Sequence, residues 1–142
     1  MKRRKAREYA LQLLFQLDIR KEKPGAMIFK RFWADQEPDE DVRSFTEEIV
    51  KGTHKHSRTI DEKILASAKN WTLERMATVD RNVLRLATYE ILYRMDIPPS
   101  VTINEAIELA KKYGTDESGG FVNGILDSVA RLAGKVDAKA LR

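Results

Sequence analysis

Apolar side chains recur three and four residues apart along most of this 142-residue chain, and nowhere do they keep the strict alternation of a half-buried strand. That periodicity restricts the fold to the all-α class. Ala6, Ala10, Leu13, Leu14 and Leu17, widened by Tyr9, make one face of a first helix over about residues 3 to 21, which Pro24 and Gly25 stop. A short second helix is expected over about 26 to 34 on Met27, Ile28, Phe32 and Trp33. From Asp39 the pattern runs through Val42, Phe45, Ile49, Val50, Ile60, Ile64, Leu65 and Ala68, which reads as one long helix bent at Gly52 and Thr53.

Asn70, Trp71 and Thr72 interrupt the pattern, and one turn is expected over 73 to 77. Thr78 then caps a helix to about residue 95, with Asp80 in its first turn and Val83, Leu86, Ala87 and Ile91 on its inner face. Ile97, Pro98, Pro99 and Ser100 read as an extended turn. Thr102-Ile103-Asn104-Glu105 matches a capping box and opens a helix that ends at Gly114. Ser118, Gly119 and Gly120 lead into a last helix with Phe121, Val122, Ile125, Leu126, Val129 and Leu132, closed by Gly134. The expectation is about seven helices in an antiparallel bundle, one domain with an N-terminal lobe of three over about 1 to 70, a C-terminal lobe of four over about 71 to 135, and a tail over 136 to 142.

At this length roughly two-thirds of the unfolded surface is buried on folding, so the core needs no covalent staple. None is available: the absence of cysteine excludes a disulfide framework, a thiolate zinc site, an iron–sulfur cluster and a cysteine nucleophile. No stretch approaches the roughly 20 uncharged apolar residues of a membrane span. The basic start lacks the apolar core and cleavage site of a secretory signal. A cytosolic chain without membrane contact is expected.

Catalytic constellations are missing. His54 and His56, two apart on a helix, point about 200° from each other and cannot share one ion. Gly119, Gly120 and Gly124 have neither the lysine nor the preceding strand of a phosphate-binding loop, and read instead as a helix entry with Gly124 permitting close packing. Glu47 beside Glu48, and Asp61 beside Glu62, fall on different helix faces and read as solvated surface. The expectation is a protein that is not an enzyme and uses no metal or cofactor.

Binding remains. The net charge of +4 is modest, but residues 1 to 7 hold five basic side chains and no acid, whereas residues 35 to 48 hold seven acids against Arg43 alone. Lys2, Arg3, Arg4, Lys5 and Arg7 crowd the first turns of a helix whose dipole is already positive there, which costs stability unless an anion neutralises them. The cluster reads either as a solubilising end or as a seat for a polyanion. Phe121, directly after two glycines and flanked by polar Ser118 and Asn123, reads either as core or as a platform on which an unpaired base stacks.

Four segments carry a resemblance that bears on these alternatives. Arg3-Arg4-Lys5-Ala6-Arg7-Glu8, with Ala10, Gln12, Leu14 and Phe15, resembles the arginine-rich first helix of the bacterial antitermination family NusB. Val79-Asp80-Arg81-Asn82-Val83-Leu84-Arg85-Leu86-Ala87, continuing to Tyr89 and Glu90, is similar to that family's central helix of the second lobe. Thr102-Ile103-Asn104-Glu105-Ala106-Ile107-Glu108-Leu109-Ala110-Lys111 and Phe121-Val122-Asn123-Gly124-Ile125-Leu126-Asp127 resemble its two most distinctive motifs. The resemblance spans nearly the whole chain, in order.

It implies an all-helical fold of two lobes and a non-enzymatic role: binding single-stranded boxA RNA of nascent ribosomal-RNA or phage transcripts together with the ribosomal protein NusE. In the family this pair seeds an antitermination complex with NusA and NusG on RNA polymerase. Carried over by position, Lys2, Arg3, Arg4, Lys5 and Arg7 hold RNA phosphates, Gln12 and Phe15 line the same groove, and Ser118, Phe121 and Asn123 close the site from the other lobe. Asp80, Asn104 and Glu105 lie towards NusE. Gly120 departs from the family pattern, where lysine is common, and removes one phosphate contact. Two other readings compete: a protein-interaction bundle with a merely solubilising basic end, and the related module at the front of ribosomal-RNA cytosine methyltransferases, whose catalytic cysteine this chain lacks.

Overall fold

A computed structural model describes residues 2–135; the expected tail over 136 to 142 lies outside them. Seven α-helices follow one another: α1 (Lys2–Arg20), α2 (Ala26–Trp33), α3 (Glu40–Lys55), α4 (Ser57–Ser67), α5 (Thr78–Tyr93), α6 (Pro99–Tyr113) and α7 (Ser118–Leu132), with one 3-10 turn at Leu73–Arg75. The all-α expectation holds, and among the described residues there is no strand.

Helix α5 is the hub, packing against α1, α3, α4, α6 and α7. Its sequence predicts a one-sided apolar stripe, but every residue from Leu86 to Ile91 is buried, along with Asn82, Val83 and Leu84. A helix surrounded on all sides has no polar face to spare. Burial of each large aliphatic such as Leu84 or Leu86 stabilises the fold by roughly 1.5–3 kcal/mol. On α1, Ala6 and Ala10 are fully buried, and their small size lets the helix lie close against its neighbours. One contiguous core results, with residues from all seven helices.

The charged groups sealed inside this core are paired, whereas the buried Thr53 and Thr88 hydroxyls have no hydrogen-bond partner. The Arg7 guanidinium of α1 donates two hydrogen bonds of 2.8 Å to the Glu90 carboxylate of α5, and the Thr102 hydroxyl of α6 donates to the same carboxylate at 3.0 Å. Glu90 is completely buried and Arg7 nearly so. Three helices are thereby joined through a single carboxylate.

Several local expectations are corrected. The capping box does not form, because Pro99 supplies the preset φ of a first helical position and α6 starts there. Thr102 and Glu105 therefore lie inside α6, facing Glu90 and Arg4. Ala77, not Thr78, precedes α5 as its cap residue. The long third helix breaks at His56 rather than at Gly52, splitting into α3 and α4. Gly52 stays helical for another reason: a Cβ there would lie 2.2 Å from the Tyr89 ring. Gly134 does close α7, with φ +70° and the Lys135 N–H donating to the Ala130 carbonyl at 2.8 Å. The adjacent acids are not merely solvated. Glu48 accepts from Arg94 and Tyr89, Glu47 from the Trp33 indole, and Asp61 from Arg85.

Two substitutions test this account by urea unfolding. Glu90→Ala leaves Arg7 charged and unpaired in the interior and is expected to cost about 3–5 kcal/mol. Gly52→Ala forces a methyl into the Tyr89 ring and is expected to cost about 1–3 kcal/mol.

Candidate nucleic-acid interface

The basic start of α1 divides by helical geometry into an inward and an outward set. Arg7 points inward to Glu90, so the expectation that it holds phosphate is corrected: its fork is spent on a buried carboxylate. Lys2, Arg3, Arg4 and Lys5 remain exposed. Each has an anionic partner within the chain. Lys2 pairs with Asp39 and Asp41 at 3.3 and 3.2 Å, Arg3 with Asp96 at 3.7 Å, Arg4 with Glu105 at 2.7 Å, and Lys5 with Glu8 at 4.0 Å. The anion that the crowded helix start requires is thus supplied by the protein itself.

These pairs fall on two sides of α1. Towards α3 and the α5–α6 turn, a cleft of about 420 Å³ is lined by Lys2, Arg3, Asp41, Ser44, Phe45, Glu48 and Arg94. The Arg3, Arg7 and Arg94 guanidinium groups lie 4.9, 5.5 and 5.2 Å from the centre of the Phe45 ring, a cation–π arrangement that holds three like charges around one aromatic. A hydrogen bond from Arg94 holds the Asp96 carboxyl down at about 2. Towards α6, Arg4 forks onto Glu105 and Lys112 donates to Glu8 at 2.5 Å. The hydrogen bond from Arg4 keeps the Glu105 carboxyl below the usual glutamate range.

Helix α6 connects this basic start to α7. Its Lys111 lies against Gly119, where a Cβ would come within 3.3 Å. Gly119 is thus a close approach, whereas Gly120 and Gly124 are open, so Gly124 is not needed for packing. Phe121 is half-buried and meets Trp71 edge to face at 5.0 Å between centroids, with the Arg75 guanidinium 5.4 Å over the Trp71 ring. Trp71 itself is 40% exposed. Both alternatives for Phe121 therefore meet in one residue, since it packs on the core and keeps part of its ring outside. Asn123, two residues further along α7, is exposed.

Ser118 is corrected: it is buried, and its Oγ accepts the Thr115 N–H at 2.9 Å, which fixes the α6–α7 loop. Gln12 and Phe15 are exposed on α1, as the groove expectation requires. Of the partner-side residues, Asn104 is exposed, Glu105 is turned to Arg4, and Asp80 is half-buried with Oδ1 lacking a hydrogen-bond partner. Sequence reasoning does not reach Trp71, Arg75 and Arg94 as site residues. The interruption at Asn70, Trp71 and Thr72 is the signal for the first two. Nothing local marks Arg94.

The NusB family model matches residues 4–131. The chain belongs to the NusB family. A transcription antitermination protein NusB from Desulfitobacterium hafniense (strain DSM 10664 / DCB-2) is 52% identical over 141 residues, covering 98% of this chain and 95% of the relative. That of Anaeromyxobacter sp. (strain Fw109-5) is 54% identical over 131 residues, 92% and 90% of the two chains. Among solved structures, T. maritima NusB superposes with a TM-score of 0.81 at 39% identity, covering 97% of this chain and 94% of that one. NusB in a crystal structure of the antitermination factors NusB and NusE in complex with dsRNA gives 0.83 at 28% identity, covering 92% and 97%. Among the described residues of this NusB-family chain, no helix is long and apolar enough to cross a membrane, and no group of three His, Asp or Glu side chains is placed to hold a metal ion.

The fork between Arg4 and Glu105 has a measurable consequence. A carboxyl with a depressed folded-state pKa adds stability above its unfolded value, about 4.3 for glutamate, and loses it as the pH falls through the folded value. In Arg4→Ala the Glu105 carboxyl is expected to titrate at higher pH than in the parent, read by carbon-detected NMR of its side chain.

Proposed function

We propose that this chain is a non-enzymatic, RNA-binding transcription antitermination factor of the bacterial cytoplasm. It binds the single-stranded boxA element of nascent ribosomal-RNA or phage transcripts jointly with NusE, and helps to assemble a complex with NusA and NusG on RNA polymerase. The observation that carries this reading is the row of exposed cations Lys2, Arg3, Arg4 and Lys5 on one end of a helix in a NusB-family chain. A relative with the same fold crystallises with NusE and RNA, which supports the choice of partners.

On this reading Lys2, Arg3, Arg4 and Lys5 meet RNA phosphates, with Gln12 and Phe15 along the same surface. Arginine suits the task because its fork presents two parallel donors to phosphate oxygens. Phe121, backed by Trp71, stacks an unpaired base, an interaction worth roughly 1–3 kcal/mol per base. Asn123, exposed two residues further along α7, offers its amide to a neighbouring nucleotide. Asp80 and Asn104 lie on the side assigned to NusE, Asn104 exposed and Asp80 half-buried.

The internal pairing of every exposed α1 cation favours a second reading, a protein-interaction bundle whose basic end only solubilises it. Titration of fluorescent boxA RNA, alone and with NusE and against a scrambled strand, separates the two. The RNA reading expects preference for boxA and an affinity that falls with salt. In Arg3→Ala/Arg4→Ala the slope of log affinity against log salt is expected to flatten by about 1.4, at about 0.7 for each phosphate that is no longer neutralised. Equal binding of both strands, with a slope the double substitution does not change, would establish the bundle reading.

A further inference from the structure

The opening turn of α3 makes a contact with the basic end of α1 that its own helix does not need. Asp39 precedes α3, and its two carboxylate oxygens do different work: Oδ1 accepts the Asp41 N–H at 2.9 Å as a helix cap, while Oδ2 lies 3.3 Å from the Lys2 ammonium. Capping requires a side-chain oxygen and not a charge, since asparagine caps as well as aspartate. The negative charge is left over for Lys2. Asp41, two residues further on, sets a second oxygen 3.2 Å from the same ammonium.

Two acidic oxygens at hydrogen-bond distance from one cation reproduce what a phosphate group presents to lysine. The contact is solvated, with side chains 48–77% exposed, so it opens at little cost, unlike the sealed pair of Arg7 and Glu90. Beside it lies the cleft of about 420 Å³ between α1, α3 and the α5–α6 turn, through which a backbone phosphate reaches Lys2 once the carboxylates swing away. Glu40, between the two aspartates in sequence, faces elsewhere. Its carboxylate is 83% exposed and lies 4.0 Å from Arg43.

We propose that Asp39 and Asp41 act as a tethered stand-in for RNA phosphate, holding Lys2 in the free protein and giving way to the RNA backbone on binding, so that the start of α3 sets the affinity of the basic end. This rests on the reading that α1 contacts RNA phosphates. Hydrogen bonding to the two carboxylates raises the Lys2 pKa, and the Asp41 backbone N–H, followed by Lys2, lowers that of Asp39, so both partners stay charged through the neutral range in which they compete with phosphate.

The test compares Asp39→Asn/Asp41→Asn with Glu40→Gln by fluorescence titration against boxA RNA, a scrambled strand and oligouridine of equal length, over a range of salt. The asparagines keep the cap and remove the competing charges. The double variant is expected to bind all three strands about two- to five-fold more tightly, the worth of one exposed ion pair. Its salt slope is expected to be steeper than the parent's, because salt screens the ion pairs that the parent must open and the gain is therefore largest at low salt. Glu40→Gln, which removes one charge from the same turn, is expected to leave the slope unchanged.

A double variant with the parent's slope, or a Glu40→Gln that steepens it as much, would overturn the proposal. Failure of the functional reading has a different signature: the parent shows no preference for boxA over the other strands, whatever the aspartate variants do to the slope. Circular dichroism melts of the three proteins confirm that affinities are compared between folded chains.

Discussion

The ion pair between Arg7 and Glu90 sets the frame on which the rest of the molecule depends. Taking both charges out of water costs several kcal/mol per ion, and only complete geometry offsets it. Here the carboxylate receives two guanidinium N–H groups and a threonine hydroxyl, so its oxygens are well provided. The groups involved come from α1, α5 and α6, which means that the angular position of α1 about its own axis is fixed by a polar contact as well as by Ala6 and Ala10. Arg3 and Arg4 lie four and three residues before Arg7, on neighbouring turns of the same helix. Fixing Arg7 inward therefore fixes where they emerge.

The consequence is a basic end that is displayed but never bare. On one side Lys2 and Arg3 meet the acids that open α3 and follow α5; on the other Arg4 and Lys5 meet Glu105 and Glu8. This arrangement answers the electrostatic problem of five cations at the positive end of a helix dipole. Of the seven acids between residues 35 and 48, Asp39 and Asp41 meet the basic segment, and its other partners, Glu8, Glu90, Asp96 and Glu105, come from elsewhere in the sequence. The charge asymmetry visible along the sequence is largely cancelled in space.

Elements were legible in the sequence wherever one local rule acted alone. The apolar period, the Pro24 and Gly25 stop and the Gly134 closure each correspond to a helix or an end that is present. The misreadings occur where a distant residue overrides a local signal. Thr102 and Glu105 have the spacing of a capping box, but Glu90 and Arg4 claim their side chains and Pro99 starts the helix a turn earlier. Gly52 resembles a break because glycine is a poor helix former, yet it is there to admit the Tyr89 ring from α5. Helical spacing sets Arg7 on the stripe of Ala10, Leu14 and Leu17, apart from Arg4 and Lys5, but Arg3 shares that stripe and only the tertiary position of Glu90 separates the two. The site was legible to the same extent: the exposed cations and Phe121 could be named from pattern, whereas Trp71, which supports Phe121 from a break between helices, could not.

The difference in depth between these ion pairs gives the molecule two kinds of electrostatics with separate duties. A sealed pair such as that of Arg7 and Glu90 responds little to salt and cannot exchange partners without unfolding its surroundings. An exposed pair is worth about 0–1 kcal/mol, is screened by salt and exchanges freely. A phosphate backbone approaching α1 therefore meets cations whose present partners are held weakly, on a helix whose orientation is held strongly. Were the exposed pairs as deep as the buried one, the surface would be inert towards polyanions. Were the buried pair as shallow as the exposed ones, α1 would lack the polar contact that fixes its rotation against α5 and α6, and with it the spacing of its cations.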